Sequence, residues 1–254
     1  MRAAAALVVA GTLLLGACTG VDQPDEPASS PSPEAKAEAP TPPPPPERDA
    51  CYRLDYDEAI ATSNDASPVP CRRRHTARTV AVGDGRRAAR ECPRRFSSYV
   101  GGSTRDRRLS MLRPVWFTPT EEARDAGASW WRCDAVALAG HERLADLRGE
   151  LRGALGRPKG RDRYGMCGTA EPGTARFERV ICSTRHTWRA VDTVPFEQAS
   201  YPGVDEVRSA GDEPCRDAGA EAADGALDYR WGYEWPSAEQ WRDGQHYGIC
   251  WAPS

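Results

Sequence analysis

The chain has 254 residues and a formal net charge of −3, so it carries no overall basic footprint for DNA or RNA. Beyond the extreme N-terminus no segment is long and apolar enough to cross a bilayer, which excludes a bundle of membrane helices. Basic charge is almost all arginine, Lys36 and Lys159 being the only lysines; with the abundant Ala, Gly and Pro this points to a GC-rich genome and says nothing of function.

The chain opens Met1-Arg2, followed by a nearly unbroken apolar run from Ala3 to Leu15 and then Leu15-Gly16-Ala17-Cys18. A positive start, a short apolar stretch and small residues read as a secretory signal peptide over 1–17. The cysteine directly after Leu-Gly-Ala resembles the bacterial lipobox, which implies cleavage before Cys18 and a diacylglycerol on its sulfur. The expected location is the extracytoplasmic face of the cell membrane, held by lipid alone. Export also removes nucleic acid as a partner. From Thr19 to Ala50 there is no aromatic residue, and Pro42 to Pro46 is an unbroken proline run. Such a stretch cannot bury enough apolar surface to offset its ordering entropy, so 18–50 reads as a lipidated cysteine and a disordered, extended tether.

Eight cysteines remain, at 51, 71, 92, 133, 167, 182, 215 and 250. An even number in an exported chain reads as a disulfide framework, the more so as isoleucine occurs only at 60, 181 and 249. Small units with thin cores need such staples. Self-comparison organises them. Cys71, His75, Thr76, Arg78 and Val80 recur as Cys182, His186, Thr187, Arg189 and Val191 at one constant spacing of 111. Pro119, Glu122, Gly127 and Cys133 recur as Pro236, Glu239, Gly244 and Cys250 at a spacing of 117. This divides the chain into a first unit over 51–140, a joining segment over 141–163 and a second unit over 164–254.

Strands are expected at Arg78–Val82 and Arg189–Val194, where β-branched and polar residues mix. Arg86–Tyr99 is helix-like, with Ala88, Ala89, Cys92 and Phe96 near one face; its counterpart is Val204–Ala223, interrupted by Gly211 and Pro214. Leu109–Phe117 and Tyr229–Trp235 read as strands. Pro119-Thr120 and Pro236-Ser237 start short helices that finish at Gly127 and Gly244, and Trp130–Leu138 and Tyr247–Trp251 close the units as strands. The joining segment is left open: Leu144, Leu147, Leu151 and Leu155 have helical spacing, but Gly149, Gly153 and Gly156 oppose a helix, and a strand added to the first unit is the alternative. The fold class is therefore α+β: two tandem small disulfide-stapled domains, each a mostly antiparallel sheet with one main helix and a short second helix.

At these residues the sequence resembles the septum formation domain of actinobacterial cell-surface and membrane proteins. Val69-Pro70-Cys71 with His75, and Val180-Ile181-Cys182 with His186, fit its early motif, and Pro236, Trp241, Gly244 and Cys250 fit its closing motif. The first unit departs in having Arg124 where the second has Trp241. The resemblance implies a cell-envelope role near division and defines no catalytic residue.

Four cysteines in a unit permit three pairings. Topology favours first with second and third with fourth, because the third lies on the helix and the fourth on the closing strand: Cys51–Cys71, Cys92–Cys133, Cys167–Cys182 and Cys215–Cys250. His75 and His186 stand four residues after a cysteine. A zinc site would need thiolates, so the favoured reading is a structural hydrogen bond, with no metal and no cofactor. His141 and His246 lack repeat partners and read as surface residues, and Glu122 and Glu239 as acids that offset a helix dipole. No nucleophile motif is visible. Residues 51–140 hold 16 arginines against 11 acids, whereas 164–254 hold 8 against 15. Either the units attract one another, or Arg72–Arg74, Arg94-Arg95 and Arg105–Arg108 meet anionic lipid or wall polymer. The expectation is a non-enzymatic, lipid-anchored binding or scaffold protein whose partners are the membrane and envelope or division proteins. A wall-glycan binder using exposed rings, and an envelope hydrolase without a recognisable motif, are the alternatives.

Overall fold

The structure, a computed structural model, describes residues 41–254. The signal peptide, Cys18 and the tether up to residue 40 lie outside the described residues. In chain order the elements are β1 (Cys51–Tyr52), α1 (Tyr56–Ile60), β2 (Ala77–Asp84), α2 (Ala88–Val100), α3 (Thr104–Arg108), β3 (Leu112–Phe117), α4 (Glu121–Asp125), β4 (Trp130–Gly140) and β5 (Arg143–Leu144). There follow a 3-10 turn at Ala154–Gly156, then α5 (Pro158–Tyr164), β6 (Met166–Gly168), β7 (Arg179–Ile181), β8 (Trp188–Pro195), α6 (Val204–Ser209), α7 (Asp212–Ala222), β9 (Gly232–Glu234), α8 (Ala238–Arg242) and β10 (Tyr247–Pro253). Among the described residues no helix is long and apolar enough to cross a membrane.

Two antiparallel sheets result, with strand orders β1-β2-β4-β3 and β7-β6-β8-β10-β9. Set β1, β2, β3 and β4 against β6, β8, β9 and β10 and the order is the same. The correspondence extends to an isolated bridge, Cys51 to Val69, which matches the β6–β7 pairing of Cys167 with Val180. The short helices α4 and α8 are begun alike, by the hydroxyls of Thr120 and Ser237 capping the backbone three residues on. Both are ended alike, at Gly127 and Gly244, whose φ values of 100° and 93° suit a residue without a side chain. The expected long helix over Val204–Ala223 is instead two, α6 and α7, divided at Ala210-Gly211. Tyr233 lies where a side chain on Gly211 would project, and its hydroxyl donates to the Val207 carbonyl at 2.9 Å.

All eight distal cysteines are bonded: Cys51–Cys71, Cys92–Cys133, Cys167–Cys182 and Cys215–Cys250. Two of these bridges tie the main helix of a half to its closing strand, α2 to β4 and α7 to β10. The joining segment resolves into both alternatives in part. Leu144 in β5 pairs with Leu138, adding a strand to the first sheet, and Leu147, Leu151 and Leu155 are buried without a continuous helix.

Packing then joins what the sequence separates. The described residues, 41–254, fall within one compact unit. One hydrophobic cluster takes Cys92, Phe96 and Trp131 from the first half, Leu151 and Leu155 from the joining segment, and Ile181, Trp188 and Trp251 from the second. Large rings replace the missing aliphatics: Trp131, Trp188, Trp241 and Trp251 are all buried. The central strand β4 is buried on both faces. Trp131, Cys133 and Ala135 point into the shared cluster, while Val136 packs on Tyr52, Leu54 and Phe117 on the opposite face. That second face exists because Asp55 and Glu58 form a capping box that begins α1, whose Ala59 is buried in the same cluster.

Candidate functional site

His75 and His186 occupy the same local turn. The Nδ1 of His75 lies 2.9 Å from the Arg73 carbonyl and that of His186 2.7 Å from the Thr184 carbonyl, two residues back in each case. Each ring thus closes the turn that follows its cysteine. Cys167, Cys182 and His186 present ligand-type atoms within 4.8 Å of one another. The two sulfurs are bonded to each other, however, and a disulfide offers no thiolate to a metal. His246 is half-buried: it stacks on Trp241 with centroids 4.5 Å apart and its Nε2 lies 3.0 Å from the Trp241 carbonyl. His141 is largely exposed. The Glu122 carboxyl, in the first turn of α4, is held below its ordinary range by its own backbone N–H and by the Thr120 hydroxyl.

The arginine runs divide between two uses. Arg105 on α3 donates to Asp192 of the second half at 2.6 Å and to the Val191 carbonyl, and the Arg108 guanidinium lies 4.4 Å from the Tyr247 ring. These two residues tie the halves together, assisted by Arg143 with Glu178 at 3.2 Å. Beside them lies a cleft of about 210 Å³ lined by Arg105, Asp106, Ser110, Arg161, Asp162 and Arg189. Its guanidiniums are already matched, Arg105 by Asp192, Arg161 by Asp106 at 3.7 Å and Arg189 by Asp162 at 3.1 Å. Arg72 and Arg73, by contrast, are exposed and make no ion pair among the described residues.

An apolar depression of about 410 Å³ lies where Ile60, Pro114 and Trp116 meet at the edge strand β3. Ile60 is 61 % and Trp116 40 % exposed. A buried ion pair lies elsewhere and is sealed. Asp134, 0 % exposed, approaches the Arg132 Nε to 2.9 Å without hydrogen-bond alignment and accepts from the Thr79 hydroxyl at 2.8 Å. The Arg132 guanidinium is sandwiched between the Tyr52 and Phe117 rings, 3.9 and 4.5 Å from their centroids. Burial pushes the Asp134 carboxyl up to about 6, against the pull of Arg132 and Thr79. Alternation along β4 places Arg132 and Asp134 on the face opposite Trp131 and Cys133. The signal for their burial is remote, in the Asp55-x-x-Glu58 pattern that starts the covering helix.

The family model described as Septum formation matches residues 84–250, well over half of the chain. The chain belongs to the septum formation family. One match runs through both halves, from the end of β2 to the last cysteine, and leaves Cys51, Cys71 and His75 outside it. No curated protein and no solved structure matches the chain. Membership in the septum formation family points to a role in cell division or the cell envelope, and the bridged cysteines at 92, 133, 167, 182, 215 and 250 all lie within the matched region.

Proposed function

We propose that this septum formation protein is a non-enzymatic scaffold, anchored by a lipid on Cys18 to the extracytoplasmic face of the cell membrane. Its folded part is read as two tandem copies, over 51–140 and 164–254, fused through one core. The observation that carries this reading is the leader ending Leu15-Gly16-Ala17-Cys18, followed by a proline-rich stretch and a fully oxidised fold. The sealed position of Asp134 supports a structural use of the most perturbed carboxylate rather than a catalytic one. Arg72 and Arg73 flank the Cys51–Cys71 bridge, beside the point where the tether enters the fold at β1, which suits contact with anionic headgroups. A wall-glycan binder is the second reading, favoured only by the exposed Trp116 beside Ile60. On that reading Trp116→Ala abolishes retention on purified cell wall.

Cys18→Ser is expected to move the protein from the membrane pellet to the soluble fraction. A single acyl chain gives only marginal binding, so durable retention requires the full lipoprotein modification. A variant that stays in the pellet through a high-salt wash would defeat the anchor. The tether makes a separate demand: limited proteolysis of the native protein should cut first between 19 and 48, leaving one compact fragment that begins near Cys51. Early cuts within 75–135 would contradict it.

A further inference from the structure

The main helices of the two halves occupy matched positions, each bridged to its closing strand, yet their solvent faces carry opposite charge. On α2, Arg90, Arg94 and Arg95 are exposed, and Arg86 and Arg87 precede them. The one acid of that helix, Glu91, reaches Arg90 at 3.5 Å and Arg95 at 4.0 Å. Arg86, Arg87 and Arg94 therefore make no ion pair among the described residues. On α6 and α7 the exposed residues include Asp205, Glu206, Asp212, Glu213, Asp217 and Glu221, and none of these six enters an ion pair among the described residues. Arg208 is drawn off onto the Trp235 ring at 5.2 Å, which leaves Arg216 as the exposed cation of α7. The attraction between halves inside one chain is met elsewhere, by Arg105 with Asp192 and Arg108 with Tyr247. Among the described residues no ion pair links α2 to α7.

We propose that copies of this protein associate head to tail, the arginine face of α2 in one copy docking on the acidic α6–α7 face of the next. A contact between two different faces is heterologous, so each bound copy still presents one free face of each sign. Such a contact propagates into a row or closes into a ring instead of stopping at a dimer. Tethered copies in one membrane plane would be concentrated for it. Only its meaning in the envelope rests on the scaffold reading; the association itself needs no anchor, so its failure leaves the Cys18 fractionation result standing.

The test measures the mass of the full chain by light scattering in a neutral detergent. At about 50 mM salt the mass should rise with protein concentration. Raising the salt to about 500 mM should weaken association about tenfold or more, because exposed pairs are screened within a few ångströms. Arg87→Glu with Arg94→Glu should leave a monomer, since the α2 face then carries as many acids as arginines and no longer complements the acidic face of the next copy. Glu213→Arg with Asp217→Arg should do the same, the α6–α7 face then carrying as many cations as acids. Mixed in equal amounts, these two variants should associate again as pairs, each supplying the intact face that the other lacks. A wild-type chain that stays monomeric throughout, or a mixture that does, overturns the proposal. So does a monomer in which the α2 reversal alone abolishes binding to phosphatidylglycerol micelles, for α2 would then face lipid.

Discussion

Replacing Cys92 and Cys133 together by alanine is expected to lower the stability of the fold by about 4 kcal/mol, the largest loss among the four bridges. The bridge closes a separation of 41 residues, against 35, 20 and 15 for the others, and closure entropy grows with the logarithm of that length. Both cysteines are 0 % exposed in the shared cluster, so the change also weakens contacts to Phe96 and Trp131. A single domain of this size has a net stability of about 5–15 kcal/mol, so the melting temperature should fall by roughly 10 °C. A contrasting case is Cys51–Cys71, whose second sulfur belongs to an exposed residue. Its removal should cost about 3 kcal/mol in the same account and leave the shared core intact. Thermal unfolding of the two double variants, followed by near-ultraviolet circular dichroism, compares them directly. Equal losses, or a loss under about 1 kcal/mol for the Cys92 and Cys133 pair, would mean that α2 is held by packing alone.

That bridge was accessible to sequence reasoning because it follows from local features: Cys92 sits on the apolar face of a helix, and Cys133 in a closing strand. The strands β2, β3 and β4 and their counterparts were legible for the same reason, since alternation and the Gly127 and Gly244 stops are written in a few consecutive residues. The short helices α1 and α3 are not legible in this way, although Asp55 with Glu58 and Ser103 with Asp106 are capping boxes. Five residues are too few to show helical periodicity. The shared core was illegible for a deeper reason. Leu151, Leu155 and Met166 have no pattern that tells which sheet they cover, and only the docking of the two sheets removes them from water. The charge asymmetry between halves was plain in composition. Which arginines it concerns was not, because Arg105 and Arg94 differ only in whether an acid of the other half lies within reach.

Arg132→Met is expected to cost about 3–5 kcal/mol at pH 8, a cost that shrinks as the solution is acidified. Removing the guanidinium takes a cation from between the Tyr52 and Phe117 rings, but methionine refills much of that slot. The larger penalty falls on Asp134, which stays 0 % exposed beside Val136 with only the Thr79 hydroxyl to meet its charge. The pH dependence follows from the sign of the shift. In the intact protein burial raises the Asp134 carboxyl from 3.8 to about 6, so the fold favours its neutral form. The stability that this preference contributes is fully present below pH 4 and is lost as the pH rises through 6; for a shift of about two units it amounts to roughly 3 kcal/mol. Without Arg132 the carboxyl is raised further still, and the loss extends over a wider range above pH 6. Denaturant unfolding of Arg132→Met should therefore differ from wild type more at pH 8 than at pH 4.5. Arg132→Met combined with Asp134→Leu removes both charges and should recover most of the loss at pH 8, leaving the unpaired Thr79 hydroxyl as the residual cost. A single variant whose deficit is the same at both pH values would show that the rings, and not the carboxylate, set the penalty. A double variant no better than the single would show that β4 needs the ion pair itself to keep its second face closed.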